Sequence, residues 1–384
     1  MTSIRLTRAR SISSIAIVGA LALGTLLAAP AATAAPAPGV PEQTKGLEYV
    51  ALGDSYSAGL GIEPSTGLPA PECGQSQANY PHQLAAAYGL ALTDLSCQGA
   101  TTTDVVTGDP LSNNLPAQIS GLSASTDIVT ITIGGNDANF TGVTAACVAL
   151  SANGPLASNQ SVPNCKTAAS QSGIDVLAAN IAGPVTQKLT ATFAAIAQAA
   201  PNAKIFVVGY PSLFPETLPE GGCFSQFGTP NAYPFTNVDV PYLHTLEVAL
   251  DAAVQTTAAS AGLSYVPTFA SSFGHTPCAG AAAYVNGITA TEGGIFPGSL
   301  HPNAAGTTFL TDSVSLAIDA AFPAAVVPPT TTPTVTGPSV AAPAPKRALA
   351  NTGVDGTLLA SGLGLAMLLL AGGGVLLRRR ATAR

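Results

Sequence analysis

The 384-residue chain has no tryptophan, two methionines and few charges, with Asp, Glu, Lys and Arg together at 9%. The missing tryptophan weakens a carbohydrate-binding reading, since sugar sites often use aromatic platforms. Cations are scarcest in the middle of the chain. Between residues 46 and 322 they are limited to Lys166, Lys188 and Lys204, three against eighteen acidic residues. The formal charge of that body is −15, while the whole chain carries −7. A body this acidic repels nucleic acid and anionic lipid surfaces. It has no arginine to clamp a phosphate or carboxylate, so neutral substrates are favoured. No Cys-x-x-Cys pair occurs and the four histidines are scattered, which argues against a zinc site. No residue pattern asks for a cofactor, and no internal repeat is visible.

Against these absences stands one informative heptapeptide, Gly53-Asp54-Ser55-Tyr56-Ser57-Ala58-Gly59, directly after the apolar run Tyr49-Val50-Ala51-Leu52. A serine set among small residues at the end of a buried strand stands at the rim of a sheet, where open α/β folds place their chemistry. The same residues also suit a plain strand-to-helix turn.

Both ends of the chain read as processing signals. Arg5, Arg8 and Arg10 precede an apolar run over 15–29, and Ala32-Thr33-Ala34 follows, which is the pattern of a secretory signal peptide over 1–34. At the other end, Leu349-Ala350-Asn351-Thr352-Gly353 precedes a nearly uncharged stretch over 356–377 and then Arg378-Arg379-Arg380. The stretch is long enough to span a bilayer, with the arginines on the cytoplasmic side. This order over 349–384 resembles a sortase sorting signal of Gram-positive bacteria, although Ala350 stands where the usual motif has proline. The resemblance implies cleavage between Thr352 and Gly353 and covalent transfer to cell-wall peptidoglycan, with sortase as a partner. An uncleaved single-span anchor is the alternative. Residues 323–348 are rich in Pro, Thr, Val and Ala and read as an extended, semi-rigid linker. The body over 46–322 falls within the range of one α/β domain.

Six cysteines, Cys73, Cys97, Cys147, Cys165, Cys223 and Cys278, all lie in the body. In an oxidising compartment an even number implies three disulfides, for which fifteen pairings exist. Sequential pairing is favoured, because each bridge then staples one local loop. Segments 48–52, 91–96, 128–133, 204–208 and 263–266 read as buried strands, the third rich in β-branched residues. Helices are expected over 80–88, over 174–200 with an interruption at Gly183-Pro184, over 242–261 and over 304–321. Strands alternating with helices indicate an α/β fold with a parallel sheet covered on both faces. Segment 138–173 reads as an excursion over the rim, with short helices.

Three further motifs sit at strand or helix ends: Cys97-Gln98-Gly99-Ala100-Thr101-Thr102, Gly134-Gly135-Asn136-Asp137 and Ser299-Leu300-His301-Pro302-Asn303. With Gly53-Asp54-Ser55, they make an ordered set over nearly the entire body that resembles the SGNH (GDSL) hydrolase superfamily. The cysteine layout is similar to that of its secreted Streptomyces-type lipase and esterase branch. The resemblance implies a flavodoxin-like three-layer α/β/α sandwich around a five-stranded parallel sheet, and serine ester hydrolysis by a monomer that needs no cofactor. It also supports the sequential disulfides. By the same resemblance Ser55 is the nucleophile and His301 the general base. The oxyanion donors are the amides of Ser55 and Gly99 and the side chain of Asn136. Such chemistry needs a nucleophile, a base and donors for the developing charge.

The chain departs from the family's pattern at the third triad member. Many relatives carry aspartate three residues before the histidine, where this chain has Gly298. A backbone carbonyl, from Gly298 or Ser299, is expected to orient the imidazole in its place, with Glu292 as a distant alternative. Asp54 reads as a rim hydrogen-bonding residue, Asp137 as the anchor of the loop bearing Asn136, and Ser57 as a brace of the turn. His82 is expected to be structural or exposed, His244 to be a surface residue in mid-helix, and His275 to lie in a loop near Cys278. A lipase or esterase acting on neutral acyl esters is the leading expectation. A carbohydrate deacetylase of the same fold and a non-catalytic wall-displayed protein are the alternatives.

Overall fold

Five short segments pair side by side into one sheet, the three central ones buried as expected and the two at the edges mostly not, since each edge strand has a neighbour on one side only. They are β1 (Glu48–Gly53), β2 (Ala91–Asp94), β3 (Ile128–Thr132), β4 (Lys204–Val208) and β5 (Ser264–Val266), in the order β2-β1-β3-β4-β5. Every neighbouring pair is parallel. The computed structural model describes residues 40–108 and 115–323. The expected signal peptide, the linker beyond residue 323 and the sorting signal with Thr352 and Gly353 lie outside the described residues. No helix among the described residues is long and apolar enough to cross a membrane.

The helices are α1 (Ser55–Ala58), α2 (Tyr80–Tyr88), α3 (Thr102–Val106), α4 (Phe140–Ala146), α5 (Cys165–Ala169), α6 (Val176–Asn180), α7 (Thr186–Ala199), α8 (Asp239–Ser260) and α9 (Ala304–Ala321). Strand residues alternate between two cores, as the two-residue period of a pleated strand requires. Val50, Leu52, Val129, Ile131, Ile205 and Val207 face a core shared with α3, α7 and α8. Tyr49, Ala51, Ile128, Phe206, Val208 and Val266 face a second core shared with α2 and α9. Helices on both faces of a parallel sheet make a three-layer α/β/α sandwich.

The expected interruption at Gly183-Pro184 is present: the α-helix stops at Asn180 and resumes at Thr186, although the chain stays helical between them. Ile181–Val185 forms a turn of π-helix between α6 and α7, with Pro184 inside it. The wider turn absorbs the hydrogen bond that proline cannot donate, and the Thr186 hydroxyl donates to the Ile181 carbonyl at 2.7 Å. A two-residue hairpin that the sequence did not suggest, Ala290–Thr291 with Gly294–Ile295, stands just before the Ser299–Asn303 motif.

The bridges are Cys73–Cys97, Cys147–Cys165 and Cys223–Cys278, the sequential pairing. They close separate loops of 24, 18 and 55 residues. By loop-closure entropy each stabilises the fold by roughly 3–4 kcal/mol. The first holds the loop after β2 near the turn after β1, where the Cys97 amide donates to the Gly53 carbonyl at 3.1 Å. The C-terminal ends of β1, β2, β3 and β4 thus deliver four loops to one edge of the sheet.

Candidate active site

Ser55 owes its place to the two residues before it. Gly53 adopts φ +123°, and a Cβ there would lie 2.5 Å from the Thr132 carbonyl oxygen, so only glycine fits. Gln118 clamps this glycine, accepting from its amide at 2.7 Å and donating to its carbonyl at 3.0 Å. Asp54 continues the β3 pairing through its amide to Thr132, at 3.0 Å. Its carboxylate then accepts from the Tyr56 amide at 2.9 Å and caps α1. Ser55 is therefore the first residue of α1, 7% exposed. Ser57 braces the turn from behind, its hydroxyl 3.0 Å from that of Tyr80.

His301 comes from the loop before α9. Its Nε2 lies 2.7 Å from Ser55 Oγ, and its Nδ1 lies 2.8 Å from the Ser299 carbonyl. A carbonyl only accepts, so Nδ1 carries the proton and Nε2 offers its lone pair to the serine hydroxyl. Burial pushes the imidazole below its usual pKa, and the bond to Ser299 pulls it partly back. Ser299 can fold back onto a side chain two residues ahead because Leu300 adopts φ +60°. That left-handed conformation costs an ordinary residue roughly 1–2 kcal/mol. Of the two carbonyls expected from the sequence, only that of Ser299 reaches the ring. The Gly298 carbonyl accepts from the His301 amide at 3.2 Å and from the Asn286 side chain at 2.9 Å. Glu292 is exposed at the tip of the 290–295 hairpin and takes no part.

The oxyanion candidates are less closely gathered. Asn136 lines the same cleft as Ser55 and His301. One of its amide protons goes to the Ala100 carbonyl at 2.9 Å. The Ser55 and Gly99 amides have no hydrogen-bond partner among the described residues. Gly99, at φ +76° with open space around it, lines the neighbouring cleft and is tied to Asn136 through Ala100. The Asp137 carboxylate accepts from the amide and hydroxyl of Thr102 at 2.8 and 2.7 Å and pairs with Lys188 at 3.2 Å. It therefore anchors the loop that carries Asn136 to the start of α3.

Three residues of this edge were not singled out from the sequence. Gln118 is one. Tyr210, two residues beyond β4, is the second. Its hydroxyl accepts from the Gly135 amide at 3.0 Å and donates to the Asp54 carboxylate, joining the nucleophile turn to the loop of Asn136. Its position beyond a strand's C-terminal end was the available signal. Burial raises Asp54 to about 7, against the opposing bonds from Tyr210 and Tyr56. The third is Glu247 of α8, whose carboxyl accepts from the amides of Leu213 and Phe214 at 2.7 and 3.1 Å and braces the loop after β4. Burial raises it to about 8.

The remaining histidines stand apart. His244 is a correction: it is 6% exposed, not a surface residue. Its Nδ1 meets the Phe214 carbonyl at 2.8 Å and its ring stacks on Phe269, because loops fold over the side of α8 that would otherwise face solvent. His82 bonds to its helix cap Asn79 at 2.7 Å. His275 bonds to the Ala282 carbonyl at 2.6 Å and stacks on Tyr284. Among the described residues no cluster of His, Cys, Asp or Glu is arranged to hold a metal.

Ser55, Asn136 and His301 open into a cleft of about 740 Å³, its mouth included. Its walls include Phe140, Leu213, Leu250, Val254 and Phe269, and no lysine or arginine lines it among the described residues.

Comparison with known proteins agrees with this architecture. Residues 51–308 match the GDSL-like lipase/acylhydrolase family. Lipase 2 of Streptomyces coelicolor is 36% identical over 301 residues, covering 77% of this chain and 91% of its own length. Among solved structures, phospholipase A1 from Streptomyces albidoflavus superposes with a TM-score of 0.54 at 27% identity, over 71% of this chain and 99% of that one. An extracellular lipase from Streptomyces rimosus gives a TM-score of 0.54 at 26% identity, over 71% of this chain and all of that one. The chain therefore belongs to the GDSL-like lipase/acylhydrolase family, with the SGNH hydrolase fold, and is a carboxylic ester hydrolase.

Proposed function

We propose that the protein is a secreted esterase or lipase that cleaves neutral acyl esters through an acyl-enzyme on Ser55. The observation that carries this reading is the 2.7 Å contact between Ser55 Oγ and His301 Nε2, with Nδ1 held by a carbonyl. His301 takes the hydroxyl proton as Oγ bonds to the ester carbonyl carbon, and then returns that proton to the leaving alcohol as the C–O bond breaks. Water repeats the sequence on the acyl-serine, giving up its proton to His301, and the free acid departs as Ser55 recovers its hydrogen. The Ser55 and Gly99 amides and the Asn136 side chain serve the developing oxyanion, each worth about 3 kcal/mol of the barrier. The apolar walls suit an acyl chain, and the lack of cations along them favours an uncharged ester.

The signal-peptide pattern and three disulfides support secretion, as do relatives named as lipases, one of them extracellular. The pattern over 349–384 supports anchoring to the cell wall after cleavage at Thr352-Gly353, with residues 323–348 as the spacer. A series of p-nitrophenyl esters of rising chain length, run beside Ser55→Ala, tests the activity. Turnover by the native enzyme and none by the variant is expected; equal rates in both would refute the reading. Mass spectrometry of wall-released protein should find Thr352 as the last residue, and a C-terminus beyond Gly353 would refute sortase processing.

A further inference from the structure

The loop that carries His301 is stitched mainly to its own neighbourhood. The Ser299 amide donates to Phe296, the Leu300 amide to Asn286, and the Asn286 amide back to His301. The Ser299 hydroxyl accepts from the Thr289 amide at 3.0 Å. None of these bonds sets the loop's distance from Ser55. Among the described residues, two hydrogen bonds cross from the nucleophile turn (53–62) to this loop (284–303). One is the contact between Ser55 and His301. The other runs from the Tyr56 hydroxyl to the Leu300 carbonyl, at 2.6 Å.

The second bond falls on the residue that needs it. Leu300 holds φ +60°, and that conformation turns the Ser299 carbonyl onto His301 Nδ1. A strained backbone persists only where its surroundings over-determine it. Here the amide of Leu300 is held by Asn286 and its carbonyl by Tyr56. The Tyr56 ring packs edge-on against Tyr210, with centroids 4.9 Å apart, and lies 5.1 Å from the imidazole. Tyr210 is itself bonded to Asp54 and Gly135, so the hydroxyl of Tyr56 is presented by a fixed ring.

We infer that Tyr56 is a positioning residue of the hydrolase: its hydroxyl holds Leu300 in the left-handed conformation and thereby keeps His301 oriented toward Ser55. The inference rests on the assignment of Ser55 and His301 given above.

The test is Tyr56→Phe, which keeps the ring and removes the bond. Thermal melting should show a folded protein. With a p-nitrophenyl ester, kcat should fall about tenfold, the equivalent of one hydrogen bond, while KM stays within about twofold. The imidazole Nδ1–H proton resonance of His301, assigned by its loss in His301→Asn, should broaden or shift upfield as its bond to Ser299 loosens. A second variant isolates the cause. Leu300→Gly takes φ +60° without strain, so adding Tyr56→Phe to it should change kcat by less than about twofold, a coupling that a double-mutant cycle reads directly. Native kcat and an unmoved resonance in Tyr56→Phe would overturn the inference, as would the same tenfold loss in both backgrounds. Ser55→Ala separates this from the underlying assignment: if it stays active, the assignment fails; if it is inactive while Tyr56→Phe is unchanged, only the positioning role fails.

Discussion

Two imidazoles in this protein, the buried His244 and the half-buried His301, make the same kind of hydrogen bond in different surroundings. His301 and His244 each place Nδ1 2.8 Å from a backbone carbonyl, of Ser299 and Phe214 respectively. His244 has a carboxyl within 3.9 Å, that of Glu247, and aromatic rings on two sides. Among the described residues no carboxylate is bonded to His301, but its Nε2 meets a serine hydroxyl. The acid that a triad would need thus lies beside the wrong histidine, and there it is committed to the amides of Leu213 and Phe214. What separates the proposed catalytic imidazole from the other is the partner of Nε2 and the backbone that aims it. Proximity to a carboxyl does not distinguish them.

The sharpest way to break this contrast is to replace the two rings one at a time. His301→Asn should lower kcat by about 10⁴-fold or more. His244→Asn should leave kcat within a few fold and lower unfolding free energy by about 1–3 kcal/mol, the cost of an unsatisfied buried acceptor. Kinetics with a p-nitrophenyl ester and denaturant titration read both, and a reversed order would refute the comparison. A smaller loss is expected from Asn136→Ala, about 10²-fold in kcat with KM nearly unchanged, the cost of removing the oxyanion donor proposed for the amide proton not bonded to Ala100. An equal rise in KM with unchanged kcat would assign Asn136 to ground-state binding instead.

The mildest effect concerns pH and the acid beside His244. Burial raises Glu247 from 4.5 to about 8, so the folded protein holds a proton there that the unfolded chain has released. That contribution to stability is complete below pH 4.5 and is lost as pH rises to about 8. Asp54, raised from 3.8 to about 7, acts in the same direction. Glu247→Gln should therefore flatten the fall in stability between pH 4.5 and about 8, leaving the slope from Asp54, Asp94 and Asp251, all raised by burial, which the lowered His301 opposes. Denaturant midpoints across that window check this, and an unchanged slope in the variant would contradict it.

The sheet was legible because its three central strands are short buried apolar runs; the edge strands β2 and β5 lie where expected but are mostly unburied, because each has a neighbour on one side only. Ser55, Asn136 and His301 were legible because each stands at a strand or helix end in a recognisable set. The residues that join them were not. Gln118 reaches Gly53 across 65 positions and Tyr210 reaches Asp54 across 156, distances over which no local pattern carries information. The choice between the Gly298 and Ser299 carbonyls is made by the left-handed backbone of Leu300, a residue type that gives no sign of it. His244 looked exposed because the burial of α8 depends on loops that close over it. The interruption at Gly183-Pro184 was legible from the proline, but its form, a π turn that keeps the chain helical, was not.

In the mechanism proposed above, Ser55 becomes acylated with His301 as its base and no carboxylate partner. Labelling with an alkyl phosphonate ester, followed by peptide mass spectrometry, tests it most directly. A single adduct is expected on Ser55, forming at the native rate in Glu292→Gln and at a negligible rate in His301→Asn. An adduct on another residue, or a rate in Glu292→Gln as low as that in His301→Asn, would contradict it.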